Sequence, residues 1–174
     1  CSLKKYKGVF EFLEVASALH EDQQITFTLI LNASVDEIND FFRDVELPFN
    51  VRLLPRQIDM SLFYAEASLV LNLSRPSEWI ETFGLTLIEA FSYGVPVIAP
   101  EVGGPTEVVR EGIDGYLMNS SRVGEIAEKI QDIAHDRNEW HRLSANAARR
   151  ADDFKLSVFD ERVTNLMQSE LSSL

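Results

Sequence analysis

The apolar residues of this chain fall into two rhythms that alternate along its length. From Lys7 to His20, the residues Val9, Phe12, Leu13, Ala16 and Leu19 recur at steps of three and four, which predicts a helix with one stripe to bury. Ile25 to Leu31 is a run of β-branched and large apolar residues and predicts a buried strand. Ser34 with Glu37 makes a capping box that opens a helix from Val35 to about Arg43. Val51 to Leu54 predicts a short strand stopped by Pro55, Ile58 to Ala67 a helix, and Ser68 to Ser74, centred on Val70, a third strand. The irregular stretch Ser74 to Ile80 leads into a helix from near Thr82 to Tyr93, with Gly94 where a residue just past a helix end is preferred. Val95 to Pro100 predicts a fourth strand, Gly103 and Gly104 a turn, Pro105 to Arg110 a short helix, and Gly115 to Met118 a fifth strand. From Glu125 the pattern is helical, with a break at Phe154 to Leu156 and a last amphipathic helix from Ser157 to about Leu171.

This alternation predicts an α/β architecture with a mainly parallel sheet. Residues 1–174 are expected to form a single domain, its core running to about residue 150 and a helical tail over 151–174, with no repeat, low-complexity tract or linker. A chain of 174 residues that is 45% hydrophobic and 25% charged is not disordered and can bury a core. Its 16 Lys and Arg against 28 Asp and Glu give a net charge of −12, which leaves no broad basic face for nucleic acid. No apolar run approaches the roughly 20 residues of a membrane span, and no leader pattern opens the chain. Cys1 is the single cysteine, so no intrachain disulfide forms and a reducing, cytoplasmic setting fits. His20, His135 and His141 are dispersed, and no metal site is expected. Asp-X-Asp, Gly-X-Gly-X-X-Gly, Walker and Gly-X-Ser-X-Gly motifs are all missing.

Chemistry concentrates in residues 81–100, ETFGLTLIEAFSYGVPVIAP. The segment follows a strand and starts a helix, and ligands of open parallel sheets bind beyond the carboxyl ends of the strands. The helix tip offers unpaired N–H groups and about half a positive charge, suited to phosphate oxygens. Gly84 in the first turn lets a ligand approach the backbone. At about 100° per residue Thr86, Glu89 and Tyr93 share one face, while Leu87, Ile88 and Phe91 share the other and take the sheet. Glu89 stands about 7.5 Å along the axis from Gly84, roughly the span from a phosphate to a ribose. Its carboxylate can accept from two vicinal hydroxyls, and Glu81 in the preceding loop can do so for a sugar. One helical Glu is usually a solvated charge. The joint occurrence of strand, loop, two glutamates and Phe-Gly raises the functional reading.

Glu81 and Glu89 with seven residues between them, Phe83-Gly84, and the continuation EAFSYGVPVIA closely resemble the nucleotide-sugar-binding signature of retaining glycosyltransferases of group 1, family 4 of the sequence classification. The stretch GGPTEVVREGIDGYL, from Gly103 to Leu117, is similar to that family's downstream element, and YKGVFEFLEVA to its Lys-Gly opening of the first helix. In the family's order, the three elements cover most of residues 4–120. The resemblance implies a Rossmann-like three-layer sandwich, the C-terminal, donor-binding half of a two-domain GT-B enzyme about twice this length. It implies sugar transfer from a nucleoside diphosphate donor, of the UDP or GDP type, to an acceptor hydroxyl with retention, without metal or cofactor. A glycan or lipid-linked acceptor would be held by an N-terminal half, in the cytoplasm or peripherally at a membrane. The donor half alone would bind weakly and turn nothing over, and polysaccharide biosynthesis is the family-level setting. By the same resemblance Glu81 and Lys7 are the catalytic candidates, Glu81 on the donor-sugar hydroxyls and Lys7 on the departing diphosphate. Glu89 would hold the ribose, Phe83, Gly84 and Leu85 would offer backbone N–H groups to sugar and diphosphate, and Thr86 a hydroxyl to a phosphate.

Two features depart from the family's pattern. The arginine usual five or six residues before the lysine is replaced by Ser2 and Cys1, so either Lys4 or Lys5 substitutes or the diphosphate has one cation fewer. The first strand of the sheet would lie at or before Cys1. The loop before Glu81 reads SRPSEWI, which adds Arg75 and Trp79; the indole either stacks on a sugar or packs on its own domain. The nucleotide base would be read by loop backbone near Arg52 to Arg56. A GT-B epimerase or phosphorylase, or a non-catalytic nucleotide-binding module, are the alternatives.

Overall fold

A computed structural model of the chain describes residues 1–171, with side chains to 168; residues 172–174 of the expected tail lie outside the described residues. The order is α1 (Val9–Ala18), β1 (Phe27–Ile30), α2 (Val35–Phe41), β2 (Val51–Leu54), α3 (Ser61–Glu66), β3 (Val70–Leu71), α4 (Leu85–Ser92), β4 (Val97–Ala99), α5 (Pro105–Val108), β5 (Gly115–Leu117), α6 (Val123–His135), α7 (Arg137–Ala151) and α8 (Leu156–Leu171). The capping box forms as expected: the Glu37 N–H donates to Ser34 Oγ at 3.3 Å and the Ser34 N–H to the Glu37 carboxylate at 2.7 Å. The expected continuous helix after Glu125 is instead two. Asp136 is extended, and its carboxylate accepts from the N–H groups of Asn138 and Glu139, which caps α7 and ends α6.

All strand pairs are parallel. β4 shows why the layers form, because its side chains alternate between faces. Ile98 joins a cluster with Val9, Phe12, Ile126 and Ile130, so α1 and α6 cover one face. Val97 and Ala99 join Leu87, Phe91, Val108 and Ala147, so α4, α5 and α7 cover the other. The result is a Rossmann-like three-layer α/β arrangement.

The sheet is divided, where one sheet was expected: β1 pairs with β2, and β3, β4 and β5 pair in that order. β1 also has a neighbour on its other edge at one residue. The Cys1 amine donates to the Ile30 carbonyl at 2.6 Å and the Asn32 N–H to the Cys1 carbonyl at 2.7 Å, the pattern of a parallel ladder centred on Leu31. Before that point the facing edges of β1 and β3 border a cavity rather than each other. The strands are also shorter than their apolar runs; of Ser68 to Ser74 only Val70 and Leu71 pair, with Val97 and Ile98.

Candidate functional site

The site is assembled from three short segments that meet beyond the carboxyl ends of β3 and β4. The first carries Lys7. A Cβ on Gly8 would lie 1.9 Å from the Leu73 carbonyl oxygen, and Gly8 has φ +75°, so a glycine is what lets this segment lie against the end of β3. The second is the loop Ser74 to Phe83. The Arg75 N–H donates to the Tyr6 carbonyl at 2.8 Å, and its guanidinium bonds Glu11 on α1 and Glu78 in the loop. The Trp79 N–H donates to the Arg75 carbonyl, and the indole stacks on Tyr6 with ring centroids 5.4 Å apart. Trp79 thus packs on its own domain, and it does so beside the candidate chemistry, with Lys7 Nζ 5.4 Å from its ring centroid. Lys7 Nζ donates to Glu81 Oε2 at 2.9 Å, both side chains being about four-fifths buried. Two residues 74 apart in sequence form one ion pair.

The Gly-Gly turn supports this loop from below. The Gly104 N–H donates to the Glu81 carbonyl at 2.8 Å, and a Cβ on Gly104 would come within 2.2 Å of the Thr82 carbonyl oxygen. The downstream element is therefore the floor on which residues 81–83 rest.

The third segment is α4. It begins at Leu85 rather than near Thr82, because Gly84 takes the position before the first turn with φ +82° and supplies no side-chain cap. The Leu87 N–H bonds the Gly84 carbonyl, while the N–H groups of Leu85 and Thr86 precede any intrahelical acceptor. The expected division of faces largely holds: Leu87 and Phe91 are buried, with Ala90 beside them, Ile88 is only partly buried against the same cluster, and Thr86, Glu89 and Tyr93 are exposed. Glu89 is not a free surface charge. Tyr64 of α3, itself buried, donates its hydroxyl to Glu89 Oε2 at 2.7 Å and stacks on Tyr93 at 5.7 Å. Burial first, then the bond to Glu89, push the phenol pKa well above its ordinary value, so it stays an O–H donor.

A cavity of about 1010 Å³ joins these groups, lined by Lys7, Tyr64, Glu81, Thr86 and Glu89 and by the facing edges of β1 and β3. Phe83, Gly84 and Leu85 are not among its lining residues, and the side chains of Phe83 and Leu85 are exposed. Neither Lys4 nor Lys5 lines it, and Lys5 lies over the ring of Phe10, so Lys7 is the lysine at this end. Arg56 also lines the cavity and donates to Asn32 Oδ1 at 2.5 Å. Tyr64 carried no sequence signal beyond its place in a helix, since its partner is 25 residues away. Chemically, the arrangement offers a cation and helix-tip amides for an anion and two carboxylates spaced for hydroxyls.

Among the described residues no helix is long and apolar enough to cross a membrane. Over 77 residues the chain is 40% identical to a sucrose synthase of Denitrovibrio acetiphilus, a match covering 42% of this chain and 10% of that protein. It is 29% identical over 168 residues to D-inositol 3-phosphate glycosyltransferase 1 of Catenulispora acidiphila, covering 90% of this chain and 39% of the relative. HepE of Anabaena, solved in complex with UDP, superposes with a TM-score of 0.77 at 25% identity, covering all of this chain and 47% of HepE. The chain thus spans less than half the length of these relatives. The family pattern of the glycosyl transferases group 1 matches residues 2–150, which include every segment of the site, and the chain belongs to that family.

Proposed function

We propose that this chain is the donor-binding half of a retaining, metal-independent glycosyltransferase that moves a hexose from a nucleoside diphosphate sugar to an acceptor hydroxyl. The observation that carries the reading is the convergence of Lys7, Glu81, Thr86 and Glu89 on one cavity at the uncapped start of α4. HepE, which spans the same fold, binds UDP and UDP-glucose, and this supports a donor of that class. The diphosphate lies against the N–H groups of Phe83 to Leu85 and the Thr86 hydroxyl, with the positive end of the helix dipole on its charge. Glu89 accepts from the ribose hydroxyls.

The Lys7–Glu81 pair sets the order of events. Lys7 exchanges the Glu81 carboxylate for a β-phosphate oxygen, and Glu81, so released, accepts from hydroxyls of the donor sugar. As the sugar–phosphate bond breaks, Lys7 and the helix tip stabilise the charge that develops on the diphosphate. The acceptor, a glycan or lipid-linked hydroxyl, enters from a second domain across the cavity. Titration calorimetry with UDP, GDP and their sugars tests the reading. One of these is expected to bind, and Glu89→Ala to weaken it by about tenfold or more, the loss of hydrogen bonds to a charged group. No binding to any of them, or heats unchanged by Glu89→Ala, would overturn it.

A further inference from the structure

We propose that Tyr64 is a positioning residue for the donor's ribose, fixing the Glu89 carboxylate so that its remaining lone pairs face the two vicinal hydroxyls. The inference rests on the donor-site reading above and adds a residue that the signature of residues 81–100 does not contain. Glu89 projects from an exposed face of α4, and its long, rotatable side chain would otherwise have to be ordered by the ligand. Tyr64 removes that requirement. Tyr64 is 8% exposed, sits in the apolar cluster with Leu87, Phe91 and Val97, and has its ring stacked on Tyr93, so packing holds the phenol direction on more than one side.

The geometry also divides the acceptor capacity sensibly. A carboxylate has about four lone-pair sites. The Tyr64 hydroxyl takes one, on Oε2 at 2.7 Å, and the rest stay available to the cavity that both residues line. A phenol held as a donor suits this role, because it orients the carboxylate without neutralising it. An Arg or Lys in its place would compete with the ribose for both oxygens and add a charge beside the base. The bond also joins α3 to α4, so the ribose end of the site is set by packing between two helices rather than by the loop that carries Glu81.

The test is calorimetry on the chain with UDP, GDP and ADP, followed by the 2′-deoxy and 3′-deoxy forms of whichever binds. Tyr64→Phe keeps the ring, its burial and its stack, and thermal melting checks that it folds. The expected result is about fivefold to tenfold weaker binding of the ribonucleotide, little change for the deoxy forms, and so a reduced preference for ribose. In a Glu89→Gln background, Tyr64→Phe is expected to change affinity by less than about twofold, because the two act as a unit. Tyr93→Leu, which removes the stack on one side of the phenol and leaves its hydroxyl, is expected to lower ribonucleotide affinity by less than Tyr64→Phe does and to leave the deoxy forms little changed. Equal losses for ribo and deoxy forms in Tyr64→Phe, wild-type affinity in that variant, or additive losses in the double variant would overturn the proposal while leaving the donor site standing. Failure of the wild-type chain to bind any of the three diphosphates would overturn the donor-site reading and this inference with it.

Discussion

The β1–β2 pair and the β3–β4–β5 sheet are both parallel, yet they are packed very differently. Val97, Ile98 and Ala99 of β4 are all fully buried, with helices on both faces. In β1, Phe27 and Leu29 are buried while Thr28 is exposed, and every residue of β2 keeps some exposure. Parallel strands are normally covered on both faces, so the first pair is the less completely packed of the two. The site residues follow that division. Glu81, Thr86 and Glu89 stand on the loop and helix that follow β3, with α4 packed on the fully buried β4, whereas Lys7 comes from the segment that opens α1, a helix whose buried face shares a cluster with Phe27 and Leu29 of β1 as well as Ile98 of β4. The lesson is that the fully covered strand backs most of the ligand groups, and the segment before α1 brings one cation to them through contacts of Arg75 with Tyr6 and Glu11, of Trp79 with Tyr6, of Lys7 with Glu81 and, closest of all, of Gly8 with Leu73.

That contact is where the comparison breaks most easily. Gly8→Ala would set a methyl 1.9 Å from the Leu73 carbonyl oxygen, which is backbone and cannot move aside without shifting β3. The expected loss is more than about 4 kcal/mol, the range reserved for named steric or packing failures. Gly112→Ala is the control, since Gly112 shares a positive φ of +67° but has nothing within 4 Å of the place its methyl would take. It should lose only the about 1–2 kcal/mol of left-handed strain. Urea unfolding of both variants measures the difference; equal losses would mean that the two halves are not joined at Gly8.

A matched pair of deletions sharpens the contrast in packing. Val97→Ala removes two methyl groups from a site with no exposure, lined by the cluster that includes Leu87 and Phe91. About 2–3 kcal/mol is expected, transfer plus residual cavity. Val51→Ala makes the same chemical change on a half-exposed strand and should lose less than about 1 kcal/mol. Equal losses would show that β2 is as tightly enclosed as β4.

How much of this was legible in the sequence depended on the range of the interaction. The Ser34–Glu37 box and the faces of α4 were readable because their partners lie within four residues, and both are present. The end of α6 had a readable signal as well, Asp136 followed three residues later by Glu139, hidden by a helical pattern on either side. The lengths of the strands were not readable, since an apolar run such as Ser68 to Ser74 is paired only where a neighbour reaches it. For the candidate site, the motif pointed to Lys7, Glu81 and Glu89, but not to the pairing of Lys7 with Glu81 or of Tyr64 with Glu89. The need for glycine at position 104 likewise comes from the backbone of Thr82, more than twenty residues away. Such contacts are properties of topology, which local pattern does not encode.

The smallest expected effect concerns charge rather than packing, and it has a representative in each half. Near the start of β1, the hydrogen bond with His135 of α6, at 2.6 Å, and then the Gln24 N–H hold the Asp22 carboxyl below its ordinary pKa. On the other side, Arg142 and, less strongly, the Tyr116 hydroxyl hold Glu139 down, while burial and that same contact leave the Tyr116 phenol pushed up to about 12. For a carboxyl depressed in the folded state, the unfolded chain binds the proton more readily. Stability from it is therefore complete above the unfolded value, near about 4, and disappears as pH falls through the lower folded value. Asp22→Asn and Glu139→Gln should each lower the melting temperature at pH 6, with the gap from wild type closing as pH drops below about 4. Because Asp22 and Glu139 lie near the surface, both gaps should shrink in high salt. A melting series from pH 6 to pH 2.5 at low and high salt reads this directly, and a gap that widened on acidification would show that these bonds do not stabilise either half.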